Sequence, residues 1–189
     1  MKHTIRVISL FLLVLAYGQN LFSQTEYQQF TYPSGQVSSE GWLRDGKPDG
    51  LWKTYYESGQ LKSIGRRTDF LLDSTWVFFG EKGDTTLVVN YKHDLKNGER
   101  FTYSETEVMV EPFVNDVRQG EGRRMDRRGH VLQTVSFVNG LEEGISPVFD
   151  TLGVLKEIVT YRKGFVMTRE ALNRYDREGK RHGYWKTFF

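Results

Sequence analysis

Glycines return along this chain at a fixed interval. Gly35, Gly59 and Gly83 are 24 residues apart, as are Gly129 and Gly153; Gly50 and Gly98 differ by 48, and Gly120 and Gly144 by 24. A period in the range of about 20–50 residues marks a repeat architecture, in which no unit buries its apolar face alone and neighbouring units must cover one another. Two intervals break the rule: Gly83 to Gly129 is 46 and Gly98 to Gly120 is 22. One two-residue deletion between Gly98 and Gly120 accounts for both, so the units are in phase on either side of it.

Each unit carries two runs and two interruptions. In the first, a run that alternates from Val37 through Gly41 and Leu43 is broken by Asp45-Gly46-Lys47-Pro48-Asp49-Gly50, followed by Leu51-Trp52-Lys53-Thr54-Tyr55-Tyr56 and then Glu57-Ser58-Gly59. Asp-Gly and Pro-containing polar clusters are turn chemistry, and aromatic and β-branched residues favour strands. Each unit therefore reads as a β-hairpin with its turn over Asp45–Gly50, joined to the next by a second turn. The second unit keeps Gly59, Gly65, Trp76 and Phe79; the third keeps Gly83, Asn97-Gly98 and Tyr103 but has Arg100 in the tryptophan place. The fourth is the shortened one, and Pro112 predicts a bulge or break in its first strand because proline removes a ladder donor. The fifth keeps Gly129, Asn139-Gly140, Gly144 and Phe149. The sixth opens with Gly153 and then loses the pattern in an irregular segment, 165–172, expected to be a loop or one helical turn. A last hairpin follows, in which Gly179–Phe189 copies Gly46–Tyr56 in residue type and would close or cap the array. The expected fold is all-β: an antiparallel meander of hairpins with a period of about 24 residues, forming an elongated, twisted, mostly single-layer sheet.

The string DGKPDGLWKTYYESGQLKSIG and its counterpart GKRHGYWKTFF resemble the MORN-repeat variant of bacterial proteins that are often labelled antitoxins. That pattern is Gly-x-Leu, then Asp-Gly-Lys-x-x-Gly-x-Trp, then a pair of aromatics, then Gly. The likeness covers about residues 30 to 189, closest in the first unit and the last hairpin. It implies successive hairpins in one extended layer and a binding or scaffolding role.

At the start of the chain Lys2, His3 and Arg6 precede an apolar run from Val7 to Leu15, with small residues at Ala16, Gly18 and Ser23. Basic, then apolar, then small is the order of a secretory signal peptide, and the run is too short for the roughly 20 residues a spanning helix needs. Residues 1–23 are expected to be that signal, cleaved after Gly18 or after Ser23, with a repeat domain over 24–189. The mature protein would then be exported to the periplasm, cell envelope or exterior, with no integral membrane segment. Losing Lys2 and Arg6 from 26 basic and 24 acidic side chains leaves a neutral chain. Neutrality argues against nucleic acid, which selects a concentrated basic face. The one basic cluster, Arg123, Arg124, Arg127 and Arg128, is interrupted by Asp126 and reads as a solvated turn. With no cysteine, an exported chain has no disulfide, thiolate metal site or catalytic thiol.

Two aromatic columns are the candidate binding or structural residues: Trp52, Trp76 and Trp185, and with them Tyr55, Phe79, Tyr103, Phe149 and Phe188. Stacked in register on every second strand, they would either hold the sheet together or form an exposed platform for a sugar chain or peptide. Arg100, Gly122 and Ser146 interrupt the tryptophan column, which favours the structural role, and Arg100 reads as a surface residue whose removal costs little. Gly35, Gly50, Gly59, Gly83, Gly98, Gly120, Gly129, Gly144, Gly153 and Gly183 read as structural turn glycines. The polar column Asp49, Asp73, Asn97, Gln119, Glu143 and His182 changes from acid to amide to imidazole, whereas a cation site needs matched ligands, so turn chemistry accounts for it. No nucleophile–base pair, carboxylate pair or metal spacing stands out, and no enzyme, metal or cofactor is expected. The function expected is a protein–protein interaction or scaffold module at the cell envelope. Carbohydrate or cell-wall binding through the aromatic columns and antitoxin-like inhibition of a partner protein are the alternatives.

Overall fold

A computed structural model describes residues 24–185. The signal-peptide expectation over 1–23 and the last column position, Phe188, lie outside the described residues.

Strands follow one another with no helix between them: β1 (Thr25–Thr31), β2 (Val37–Arg44), β3 (Lys47–Tyr55), β4 (Leu61–Thr68), β5 (Leu71–Phe79), β6 (Thr85–Lys92) and β7 (Leu95–Tyr103). Past the deletion come β8 (Glu107–Val114), β9 (Val117–Arg118), β10 (Gly120–Asp126), β11 (Val131–Val138), β12 (Leu141–Phe149), β13 (Leu155–Arg162) and β14 (Phe165–Ala171). These form one antiparallel sheet in chain order, with β9 paired to β8 beside β10. The sheet does not close: β1 and β14 are its two edges. At about 4.8 Å per strand it runs roughly 55–60 Å from edge to edge.

Two turn types alternate, one per edge. On one edge each hairpin closes with two residues of positive φ, as Asp45 (51°) and Gly46 (72°) do; this is the type I′ turn, whose twist matches that of paired strands. Asp69-Phe70, His93-Asp94, Asn115-Asp116, Asn139-Gly140 and Lys163-Gly164 occupy the same place. On the other edge the turn has three residues. Gly59 N donates to the Tyr56 carbonyl (2.9 Å) and Tyr56 N to the Gln60 carbonyl (2.8 Å), a type I turn closed by a glycine bulge. The expected six-residue turn Asp45–Gly50 is thus shorter than the composition implied. Lys47-Pro48-Asp49-Gly50 belongs to β3, and Gly50 forms a bulge there, opposite Trp42, between the pairs Leu43↔Pro48 and Gly41↔Trp52.

The deletion falls in one turn. Between β7 and β8, Ser104 N donates to the Glu107 carbonyl (2.9 Å), and the ladder runs from Tyr103↔Val108 without the shift seen at Tyr55↔Leu61. A two-residue turn has replaced a three-residue turn and its bulge. Pro112 does not break its own strand: β8 is continuous, and Pro112 pairs with Glu99. The break lies on the neighbouring strand at Gln119, whose N–H donates to the Pro112 carbonyl (3.0 Å). The irregular segment is also a correction. Residues 165–171 form β14, paired with β13 from Arg162↔Phe165 to Glu157↔Ala171, because an antiparallel edge needs partners for its backbone more than it needs repeat glycines.

The last hairpin departs from its sequence likeness. Gly179 N donates to the Asp176 carbonyl (3.1 Å) and Asp176 N to the Lys180 carbonyl (2.9 Å), so Gly179 corresponds to Gly59 rather than to Gly46. Its strands β15 (Arg174–Tyr175) and β16 (Arg181–His182) form a separate two-stranded sheet. Leu172 and Asn173, both buried, anchor it: Leu172 N donates to the Lys156 carbonyl and Asn173 Nδ2 to the Leu155 carbonyl.

One face of the sheet is covered. Leu43, Trp76, Val89, Phe113, Phe137 and Val159 are buried on it, and its central row crosses the strands through Gly41↔Trp52↔Gly65, then Trp76↔Val89↔Arg100↔Glu111, then Gly122↔Val135 and Ser146↔Val159.

Candidate functional site

The tryptophan column is a packing device. A side chain at Gly41 would run into the Trp52 ring, and one at Gly65 into the Trp76 ring: each indole lies across a glycine of the preceding strand. Trp76 is 5% exposed and its Nε1 donates to the Arg66 carbonyl (3.0 Å). The two indoles do not stack on each other; the ring neighbours are Phe30 for Trp52 (6.2 Å) and Phe78 for Trp76 (6.3 Å). Trp185 packs edge-on to Tyr175 in the last hairpin (5.1 Å). Tyr55, Phe79, Tyr103 and Phe149 are half-buried at the strand ends beside the three-residue turns. The aromatic columns therefore offer no continuous platform, and the expectation of rings stacked in register is replaced by indole on glycine.

Where the column lacks tryptophan, charge fills it. Glu111 is buried and accepts from Arg100, which stands directly opposite it, and from Arg118 Nη1 (3.5 Å). Arg118 also bonds Glu142 (3.2 Å) and the Gly140 carbonyl (2.9 Å), and its guanidinium lies 4.3 Å over the Phe137 ring. Arg100 is therefore not a surface residue: it neutralises a buried carboxylate. A cavity of about 200 Å³ opens beside Gly122, with Met109, Val135, Phe137 and Arg124 in its wall. Its charged groups are paired, Arg124 with Glu107 at 2.7 Å and Arg123 with Glu99 at 2.5 Å. That pairing also corrects the reading of the arginine cluster. Arg123 and Arg124 lie in β10, and only Arg127 and Arg128 lie in its turn.

The polar column holds repeats together rather than a ligand. Gln119 Oε1 accepts from Asn139 N (2.9 Å) and Glu143 Oε2 from Lys163 N (2.8 Å), each reaching the I′ turn of the following unit. Among the described residues no group of three or more His, Cys, Asp or Glu is placed to hold a metal ion.

Two outer-face features have no match among the sequence candidates. Residues flanking the I′ turns alternate with the buried Phe113 and Phe137 and so point outward, in the pairs Lys92↔Leu95, Val114↔Val117 and Val138↔Leu141. Leu95 (41% exposed), Val114 (50%), Val117 (44%), Val138 (47%) and Leu141 (46%) make an apolar row across three hairpins. Val117 leans on the turn at Gly140 and Leu141 on the turn at Gly164, closing the gaps between hairpins. In the sequence the row appears as Leu71, Leu95, Val117, Leu141 and Phe165, the residue after five of the six I′ turns, the first being followed by Lys47. The second feature is Trp42, 46% exposed between buried Gly41 and Leu43, which meets the exposed Tyr27 edge-on at 5.5 Å.

Hairpins stacked in one open layer and tied turn to turn define a β-hairpin repeat protein. The family model of the MORN repeat variant matches residues 48–66, which is the bulge of β3, the three-residue turn and most of β4. MORN repeats generally mediate protein or membrane interactions. No curated protein matches the chain.

Proposed function

We propose that this chain is an exported, non-catalytic repeat protein that serves as a protein–protein interaction or scaffold module at the cell envelope. The observation that carries the interaction role is the outer-face row Leu95, Val114, Val117, Val138 and Leu141. Contiguous exposed apolar surface of a few hundred Å² marks a partner surface more often than it occurs by chance. The row sits on paired strands, so a partner meets a rigid strip and loses little entropy in ordering it. Export rests on the basic, apolar and small segments of residues 1–23, and native protein whose N-terminus lies between Gln19 and Thr25 would bear it out.

The test is affinity purification from the envelope fraction with the native chain and with Val117→Glu/Leu141→Glu. A stoichiometric protein retained by the native chain and lost with the double variant, at an unchanged melting midpoint, is the expected result. Retention of the same protein by the variant removes the row from the reading.

A further inference from the structure

Beyond a protein partner, we infer that the corner formed by Tyr27 and Trp42 is a binding site for a neutral carbohydrate, with one hexopyranose ring seated against the Trp42 indole.

Of the four tryptophans, Trp52 and Trp76 are laid across glycines and Trp185 is held by Tyr175. Trp42 alone is placed on the outer face with about half its surface in water, and its neighbour Tyr27 is 49% exposed. Packing explains the other three and leaves this one over. The ring is nonetheless fixed. Tyr27 meets it at 77°, and beneath it lies the Gly50 bulge, where even a methyl group would sit 3.5 Å from the Trp42 Cβ. A rigid exposed aromatic suits the flat, weakly polar C–H face of a pyranose, which needs no conformational change in the protein to be met.

The polar groups around it settle the ligand's charge. Beside Trp42 is an open depression of about 310 Å³ bordered by Arg44, Asp49, Arg66, Thr68 and Asp69, at the lower end of the roughly 300–1,000 Å³ usual for small-ligand sites. Arg44 is shared between Asp49 (3.0 Å) and Asp69 (2.6 Å), and Asp45 is close enough to act on the same guanidinium. Arg67 is turned to the Phe70 carbonyl (2.8 Å). One guanidinium of the corner, Arg44, is thus shared by two aspartates, and a second, Arg67, is taken up by a backbone carbonyl. A phosphate or an acidic peptide would have to compete with the carboxylates that already hold Arg44, whereas a vicinal diol can accept from a guanidinium and donate to the carboxylate beside it. Paired charges with free lone pairs next to a bare indole are complementary to an uncharged polyol.

The experiment is affinity electrophoresis of the native chain through gels containing a neutral β-glucan, mannan or xylan, with alginate as the acidic control. At least one neutral polysaccharide should retard the chain, Trp42→Ala should weaken that retardation about tenfold, and Trp42→Phe should restore part of it. Val117→Glu/Leu141→Glu should be retarded like the native chain, which separates this site from the protein-binding row. Should Trp42→Ala melt early, Tyr27→Ala replaces it, since Tyr27 lies on the edge strand. The inference is overturned if none of the neutral polysaccharides retards the native chain, if alginate alone does, or if the Trp42 and Tyr27 variants are retarded as strongly as the native chain.

Discussion

At the scale of single residues, the covered row decides most of the energetics. Gly65→Ala should destabilise the protein by about 1–3 kcal/mol, because the new methyl meets the buried Trp76 ring and overpacking of that kind costs about this much; urea melts measure it. Arg100→Ala should cost about 1–3 kcal/mol as well, since it strips Glu111, which is 6% exposed, of one of its two guanidinium partners. A midpoint unchanged in Arg100→Ala would return Arg100 to the surface role its sequence context implied. On the outer face Glu40 accepts from Tyr55 Oη (2.6 Å) and Gln29 Nε2 (2.7 Å) and lies 3.5 Å from Lys53 Nζ. The Tyr55 bond first, then the Gln29 bond, hold its carboxyl at about 2 against an ordinary 4.5. A carboxyl lowered by folding stabilises in full above its ordinary value and less as pH falls toward the folded one. The melting-midpoint difference between the native chain and Glu40→Gln should therefore be constant above about pH 5 and shrink between about pH 4.5 and 2.

At the scale of the element, a hairpin is specified by its two turns and one bulge. The bulge carries glycine at Gly50, Gly98, Gly120 and Gly144, with φ between 81° and 107°, but Ser74 takes the same place at φ 59°. A left-handed non-glycine residue carries a cost of about 1–2 kcal/mol, partly offset by the freedom glycine adds to the unfolded chain. Ser74→Gly should accordingly stabilise by up to about 1 kcal/mol, while Gly98→Ser should destabilise, its Cβ also lying 3.3 Å from that of Asn90. Thermal melts of the pair check the assignment, and a destabilised Ser74→Gly would mean that the Ser74 hydroxyl bond to Asp73 (3.2 Å) outweighs the backbone term.

At the scale of the whole molecule, the backbone ladders join only strands adjacent in the meander and side chains reach little further, so stability is close to a sum of hairpins and the joints between them. Within the sheet burial is deepest at Val89, Val110 and Val159, in β6, β8 and β13, whereas all seven residues of β1 are exposed. Amide hydrogen exchange should be slowest in β6, β8 and β13 and fastest in β1 and the hairpin 174–182. Uniform protection from end to end would show that the sheet opens as one unit instead.

Glycine spacing determined that the chain is a meander of hairpins with two residues missing, because the three-residue turns and the bulges hold their glycines at φ of 77–107°, where glycine is strongly favoured, while the two-residue turns admit Asp, Asn, His, Phe and Lys at φ of 48–70° and leave a fainter mark. Local chemistry was less informative where two geometries share a composition. Asp-Gly-Lys-Pro-Asp-Gly holds both a turn and a bulge, and Gly179-Lys180 imitates Gly46-Lys47 while folding like Gly59-Gln60. β14 carries no repeat signature at all, since pairing with β13 requires only a backbone. Which tryptophan is covered was decided by register: Trp42 and Trp52 are both tryptophan on adjacent strands, yet the pairing Gly41↔Trp52 lays Trp52 on glycine and turns Trp42 to the opposite face, in water. Arg100 reads as polar until Glu111, 11 residues on, is brought opposite it by the shortened turn. Spacing within a unit reports backbone conformation; exposure and charge pairing depend on register between units, which the sheet sets only when it forms.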